Sequence, residues 1–145
     1  MVDVKTEIII ERKIDDVASY ATNPENAPEW YDNIKMAEWR SEPKMEIGSK
    51  VAFIAHFLGR KLAYTYEFIE FIPNHKLVMK TAQGPFPMQT SYTFRETDSG
   101  STIMTLQNKG IPKGFSKIMA PFMVKMMKKA NEKDLLKIKN ILESE

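Results

Sequence analysis

The feature that most constrains the fold is a run of six strand-like segments that follow one another with only short turns between them. The segments cover residues 34–42, 49–59, 60–73, 76–83, 88–96 and 101–109. They are rich in β-branched and aromatic residues, and they are separated by Gly, Pro and polar turn residues such as the TDSG stretch before the last segment. Strands joined by such short turns pair antiparallel, because parallel pairing needs a crossover of a dozen or more residues. The run therefore predicts an antiparallel meander.

Helices and one further strand flank this meander. Alternation in VDVKTEIIIER predicts a strand over residues 3–11, and apolar residues at helical spacing predict a short helix over 14–21. A longer amphipathic pattern predicts a helix over 114–143, in which Pro121 either introduces a kink or marks the end of a short first segment. This helix is the one element large enough to cover a face of the sheet.

Between the first helix and the meander lies the stretch NPENAPEWYDN, residues 23–33. Asn23 is a good N-cap and Pro24 suits a first helical position, whereas Pro28 disfavours helical geometry at Ala27. The pattern indicates two short helical turns, the second of which delivers Trp30 toward the end of the sheet. Tyr31 fits the interior and the surface equally well.

These elements define the expected fold class, which is α+β. We predict a seven-stranded curved antiparallel sheet, in the order strand, two short helices and six strands, wrapped on a long C-terminal helix. A length of 145 residues suits one domain spanning 1–145.

Composition excludes some chemistry outright. The chain has no cysteine, which rules out disulfides and thiolate chemistry. No apolar run reaches the roughly 18 residues of a membrane span, and the N-terminus lacks a signal-peptide pattern, so we expect a cytoplasmic protein. His56 and His75, the two histidines, fall on an outward strand face and in a turn. With no phosphate-binding loop or nucleophile elbow either, we expect no metal and no cofactor.

Strand parity predicts which side chains face the long helix. In the segment 60–73, Leu62, Tyr64, Tyr66 and Phe68 share the inward face. Strict alternation would then turn Glu70 inward, so we expect a β-bulge that keeps it outside and returns the next aromatic residue to the core. The inward faces are rich in aromatic residues and methionine, whereas a plain core favours Leu, Ile and Val. Such a lining indicates either tyrosines that reach the solvated rim or a cavity with room for a ligand.

Several stretches, in their order and spacing, resemble a known superfamily: TNPENAPEWYDN, YTYEFIEFIPNHKL, GPFP followed by SYTF, and DLLKIKNILE. Together they are similar to the START-like, helix-grip (SRPBCC) superfamily, and within it to the branch named polyketide cyclase/dehydrase and lipid transport. The resemblance covers nearly the whole chain. It implies a hydrophobic cavity between sheet and long helix, with Met127 as a further candidate beside the residues it places at the cavity: Trp30, Phe53, Phe57, Tyr64, Tyr66, Phe68, Met79, Thr90, Tyr92, Met119, Met123 and Met126.

Three functions remain open from the residues. The first is binding or carriage of a hydrophobic small molecule of lipid, acyl or polyketide/aromatic type. The second is a cyclase or dehydratase acting without metal or cofactor, whose candidate catalytic residues are Tyr64, Tyr66, Tyr92 and, if the bulge is absent, Glu70. The third is a protein-interaction module without a small ligand.

Charge adds one more alternative. Nine lysines lie between residues 109 and 139 against two acids, Glu132 and Asp134. This pattern is typical of the solvated face of a helix, and the alternative is a transient contact with an anionic membrane. Besides a hydrophobic small molecule we expect no nucleic-acid partner, and a monomer or weak homodimer.

Overall fold

A computed structural model describes residues 2–57, 59–110 and 120–145 of the chain. A 3₁₀ turn over Pro24–Asn26 separates the first two α-helices. The elements in these ranges are β1 (Val2–Ile10), α1 (Ile14–Thr22), α2 (Ala27–Trp30), β2 (Ile34–Trp39), β3 (Lys50–Phe57), β4 (Arg60–Ile72), β5 (Lys76–Gln83), β6 (Met88–Glu96), β7 (Thr102–Gly110) and α3 (Ala120–Glu143).

The strands form one antiparallel sheet in the order β1-β7-β6-β5-β4-β3-β2. Strands β2 to β7 are the expected meander, in which each strand pairs with the next along the chain. Strand β1 pairs with the last strand, β7, from Val2 opposite Gly110 to Ile10 opposite Thr102. The predicted α+β helix-grip architecture is confirmed.

The core lies between the inner face of the sheet and the apolar side of α3. Leu135, Ile138 and Leu142 are completely or almost completely buried on the helix, and residues such as Leu77 and Leu106 are buried on the strands. Full burial of such a side chain stabilises the fold by about 1.5–3 kcal/mol. The C-terminal half of α3 therefore provides much of the adhesion between helix and sheet.

Hydrogen bonds tie the end of α3 to the end of β1. The Arg12 guanidinium donates to the Leu142 carbonyl at 2.5 Å, and the Glu143 carboxylate accepts the backbone N–H of Glu11 at 2.8 Å. A cation beside the last carbonyls of a helix also suits the helix dipole. These bonds hold the C-terminal half of the helix in one place along the sheet.

The β-bulge expected in β4 is present. Pairing with β5 shifts register between Phe68 and Glu70, and Phe71 packs against the core as a result. Glu70 is turned outward, where it forms a surface ion pair with Lys76 at 3.5 Å. Glu70 was a catalytic candidate only without a bulge, so this arrangement removes it.

The broken helix between α1 and β2 has the expected turns. The Asn23 side chain accepts the backbone N–H of Glu25 at 3.1 Å, which caps the 3₁₀ turn, and Pro28 lies in the first turn of α2. Trp30 is 0 % exposed at the end of that turn.

The prediction of a long C-terminal helix holds over Ala120–Glu143. Pro121 is the second residue of the part of this helix that the structure describes, so the expected kink or segment end at Pro121 stays a prediction. The earlier part of the predicted helix, residues 114–119, lies outside the described residues.

The Asn23 cap gives a testable consequence. Replacing Asn23 with Ala removes the oxygen that accepts the Glu25 N–H, and we expect a loss of about 1 kcal/mol in the free energy of unfolding. Urea titration measures this loss. Asn23→Asp keeps an acceptor at the same place and should unfold like the wild type, whereas equal losses in both variants would show that the cap bond contributes nothing.

Candidate functional site

A cavity of about 160 Å³ lies between the inner face of the sheet and the N-terminal half of α3. Strands β3 to β7 form most of one wall, with Val2 of β1 and Ile34 of β2 contributing from the two edge strands of the sheet, and α3 forms the other wall. Apolar and aromatic side chains dominate the lining. The residues that line it are Val2, Tyr31, Asn33, Ile34, Phe53, Ala55, Leu62, Tyr64, Tyr66, Met79, Phe86, Met88, Thr90, Tyr92, Asn108, Lys109, Gly110, Met123, Met127, Ala130, Asn131 and Asp134.

Seven of the residues expected at the site line this cavity. They are Phe53, Tyr64, Tyr66, Met79, Thr90, Tyr92 and Met123. On the helix, Met127 faces the cavity as well, and Met126 does not. Met119 and the side chain of Phe57 lie outside the described residues.

Two expected residues are buried without lining the cavity, Trp30 and Phe68. Strand β4 is 13 residues long, so Tyr64 and Tyr66 lie over the cavity while Phe68, further along, packs against Trp39 with ring centroids 6.0 Å apart. Trp30 packs behind Tyr31 and Tyr92, with centroid distances of 4.0 and 5.8 Å. It packs against these two tyrosines, which line the cavity.

An aromatic cluster forms the sheet wall of the cavity. The rings of Phe53, Tyr64 and Tyr66 lie 5.0–5.8 Å apart between centroids, in tilted and edge-on arrangements. These arrangements are the ones that the charge distribution of aromatic rings favours. The cluster therefore presents a wall of packed aromatic rings to the cavity.

The Tyr66 hydroxyl belongs to a hydrogen-bonded chain. Thr90 donates its single hydroxyl proton to the Asn108 side-chain oxygen at 2.7 Å, so Tyr66 must be the donor to Thr90 at 2.8 Å. Burial raises the pKa of Tyr66 to about 12, although the bond to Thr90 lowers it somewhat. Tyr66 is thus a fixed neutral group.

The hydroxyls of Tyr31 and Tyr92 lie 2.7 Å apart and bond to each other. Burial is the main cause that raises the pKa of both groups, and it also raises the pKa of Tyr64 well above its ordinary value. These tyrosines stay protonated near neutral pH. They can donate hydrogen bonds, but they cannot act as bases there.

Asp134 is a cavity residue, although in the sequence it stands out only as one of two acids in the lysine-rich region. Its side chain faces the cavity from α3 and is 3 % exposed, and its carboxylate accepts the backbone N–H of Asp32 at 3.1 Å. Desolvation raises its pKa from 3.8 to about 6; the Asp32 N–H and the charges of Lys137 and Lys133 oppose the shift, and the Asp32 carboxylate adds to it. Asp134 therefore titrates close to physiological pH.

Asn131 lies one helical turn before Asp134 on the same side of α3 and is 6 % exposed. Its side-chain nitrogen has no hydrogen-bond partner among the described residues, and the same holds for the indole nitrogen of Trp30. Helical spacing is the signal that could have found Asn131 and Asp134, because both follow Met123, Met127 and Ala130 on one face of α3.

The lysines expected on the outer face of α3 are exposed there. Lys125, Lys128, Lys129, Lys133 and Lys137 all face solvent, and Lys133 lies 3.5 Å from the Asp32 carboxylate. Solvated charge accounts for this face. Contact with an anionic membrane stays a prediction.

Within the described ranges, no group of three or more His, Cys, Asp or Glu side chains is placed to hold a metal ion. No helix in the same ranges is long and apolar enough to cross a membrane.

Known structures share this fold over almost the full chain. A structure of TTHA0849 from Thermus thermophilus is 15% identical, with a TM-score of 0.83 and coverage of 98% of this chain and 97% of that one. The Zhui aromatase/cyclase from Streptomyces sp. R1128 is 12% identical, with a TM-score of 0.79 and coverage of 97% and 93%. A START superfamily protein from Mycobacterium smegmatis is 13% identical, with a TM-score of 0.77 and coverage of 98% and 97%.

Among curated protein sequences, none is similar enough to this chain to match it. The sequence profile of one family, described as polyketide cyclase / dehydrase and lipid transport, matches residues 1–143. This match supports a ligand-binding or cyclase role. Because the match spans almost the whole chain, the protein belongs to the polyketide cyclase/dehydrase and lipid transport family.

Proposed function

We propose that this protein binds one small hydrophobic molecule in the cavity between the sheet and α3. The observation that carries the proposal is the cavity itself, about 160 Å³ and lined mainly by aromatic side chains and methionines. Well-packed interiors contain few voids larger than a water molecule. A cavity of this size inside a small protein lowers the stability of the fold. A binding role therefore accounts for the cavity better than core packing does.

The cavity volume limits the size of the ligand. An engineered apolar cavity of about 150 Å³ in another protein accepts benzene. The space here, about 160 Å³, therefore suits one ring, and a longer molecule would need the walls to move apart. The aromatic rings of Phe53, Tyr64 and Tyr66 on the sheet wall favour an aromatic ligand, which can pack against them in tilted or edge-on arrangements.

The helix wall can adapt to the shape of a ligand better than the sheet wall can. Met123 and Met127 contribute flexible, polarizable side chains opposite the aromatic cluster. If a ligand removes about 300 Å² of apolar surface from water, the gain is about 7 kcal/mol at 25 cal/mol per Å². Association costs offset several kcal/mol of this gain, which leaves affinity in about the micromolar range.

Asp134 favours a second candidate function, a cyclase or dehydratase. A general acid or base works best when its pKa lies near the working pH, and the pKa of Asp134 is raised to about 6. Asp134 lines the same cavity as Tyr64 and Tyr92, whose protonated hydroxyls can hold a substrate carbonyl. In this function Asp134 would transfer the proton, and the tyrosines would orient the substrate.

Filling the cavity tests the binding proposal. Ala130 lines the helix wall, and Ala130→Phe places a ring in the space that the ligand would occupy. We expect wild-type protein to bind toluene with micromolar to millimolar affinity in a calorimetric or NMR titration, and the variant to lose at least tenfold in affinity.

The matched control is Ala63→Phe, which adds the same ring on β4 at a position that does not line the cavity. It should bind toluene like the wild type. If Ala130→Phe binds as well as Ala63→Phe, the ligand lies elsewhere and the proposed site is wrong.

The raised pKa of Asp134 has a consequence for stability. The folded state holds this proton more tightly than the unfolded state, so stability contributed by the group is present at low pH and is lost as pH rises from about 4 to about 6. We expect Asp134→Asn, which keeps an acceptor for the Asp32 N–H, to remove this loss. The variant should gain about 1–3 kcal/mol relative to the wild type between pH 4 and pH 7.

Urea unfolding of both proteins at several pH values measures this difference. A constant difference between wild type and variant over this range would show that Asp134 titrates normally, and the acid–base role would then lose its basis.

A further inference from the structure

The amide of Asn131 is the one polar group of the cavity wall whose buried nitrogen lacks a partner among the described residues. It is 6 % exposed and carries two N–H donors. Leaving such a buried donor unpaired destabilises the fold, and folded proteins rarely tolerate it. A leucine of similar size would avoid this loss of stability. The presence of an amide instead indicates that its N–H finds a partner in the cavity.

No acceptor among the described residues lies within hydrogen-bond distance of this nitrogen. The Asn108 side-chain oxygen accepts from Thr90, and the Asp134 carboxylate accepts the Asp32 N–H. The second unpaired nitrogen, on Trp30, lies behind the cavity wall, where no ligand in the cavity can reach it. Asn131 differs because its side chain lines the cavity, where rotation of the amide about its Cβ–Cγ bond can turn an N–H toward a ligand.

Tyrosine hydroxyls add donors to the same space. The pair formed by Tyr31 and Tyr92 has two protons, of which their mutual bond uses one, and the other remains available. Tyr64 lines the cavity and makes no hydrogen bond through its hydroxyl within the described residues. The cavity therefore offers donors to an oxygen atom that a ligand would bring.

The Asp134 carboxylate acts against an anionic ligand at Asn131, although Lys109 adds one positive charge to the cavity wall. Asp134 lies one turn away on the same helix face, with Asp32 beside it from the end of α2. Lys133 and Lys137 extend toward solvent from the outer face of α3, and Lys109 lines the cavity from the end of β7. A carboxylate held at Asn131 would meet the Asp134 carboxylate at close range with little water between them.

We propose that the ligand is an uncharged ring compound with a carbonyl-type oxygen, and that Asn131 selects it by donating a hydrogen bond to that oxygen. This inference rests on the proposed function and narrows it. It distinguishes the expected ligand from a pure hydrocarbon and from an aromatic or fatty carboxylate.

The test compares two probes of nearly identical shape, acetophenone and ethylbenzene, which differ by a carbonyl in place of a methylene. Calorimetric titration of wild-type protein at pH 7.5 should show about tenfold tighter binding of acetophenone, because ethylbenzene leaves the donor unpaired. In Asn131→Leu this preference should disappear, with ethylbenzene bound at least as tightly as in the wild type. Benzoate should bind wild type more weakly than acetophenone does.

Each outcome is informative. Equal wild-type affinity for acetophenone and ethylbenzene, or an unchanged preference in Asn131→Leu, would overturn the role of Asn131 and leave the cavity proposal standing. Tighter binding of benzoate than of acetophenone would overturn the preference for an uncharged ligand. Binding of none of the three probes would overturn the proposed function and this inference together. The wild-type comparison holds even if the variant folds poorly.

Discussion

The packing of α3 across the inner face of the sheet is the interaction on which the rest of the structure depends. Its two halves pack differently. The C-terminal half is anchored by buried Leu135, Ile138 and Leu142 and by bonds from Arg12 and Glu11. The N-terminal half presents Met123, Met127 and Ala130, and there the helix and the sheet enclose a space. One helix thus closes the core at one end and forms the wall of a cavity at the other.

The polar groups of the cavity follow from this asymmetry. Most of these groups form hydrogen bonds within the protein. Examples are the chain from Tyr66 through Thr90 to Asn108 and the Tyr31–Tyr92 pair. These bonds hold the wall in one shape, and burial keeps its tyrosines neutral. Asn131 and Asp134 differ, because one has an unpaired donor and the other holds a raised pKa of about 6. Any selectivity or chemistry at this site is best placed at these two residues.

Much of the fold could be predicted from local patterns. Alternation of apolar and polar residues predicts the inward faces of the strands, and turn residues predict the connections between them. Strict alternation would turn Glu70 inward, and this conflict indicates the β-bulge that returns Phe71 to the core. The stretch with Pro24 and Pro28 was interpretable because proline restricts its own backbone and that of its neighbour. The family resemblance agrees with the profile match over residues 1–143.

The cavity residues could be predicted less completely from the sequence, for physical reasons. Parity shows that Tyr66 and Phe68 share a face, but where the cavity ends along β4 depends on how the sheet meets α3. Which of Met126 and Met127 faces inward depends on the rotation of the helix by a fraction of a turn. Asp134 resembles any surface acid in a lysine-rich helix until its packing is known.

Methionine methyl groups provide the most direct test of the cavity as a binding site. Met79, Met88, Met123 and Met127 line it, whereas Met104 is buried elsewhere and Met36 is exposed on β2. In protein labelled with ¹³C at the methionine methyls, titration with toluene should shift the four lining signals along one saturable curve and leave Met36 and Met104 in place. Saturable shifts at Met36 without the lining methyls, or no saturable shift at all, would contradict the account.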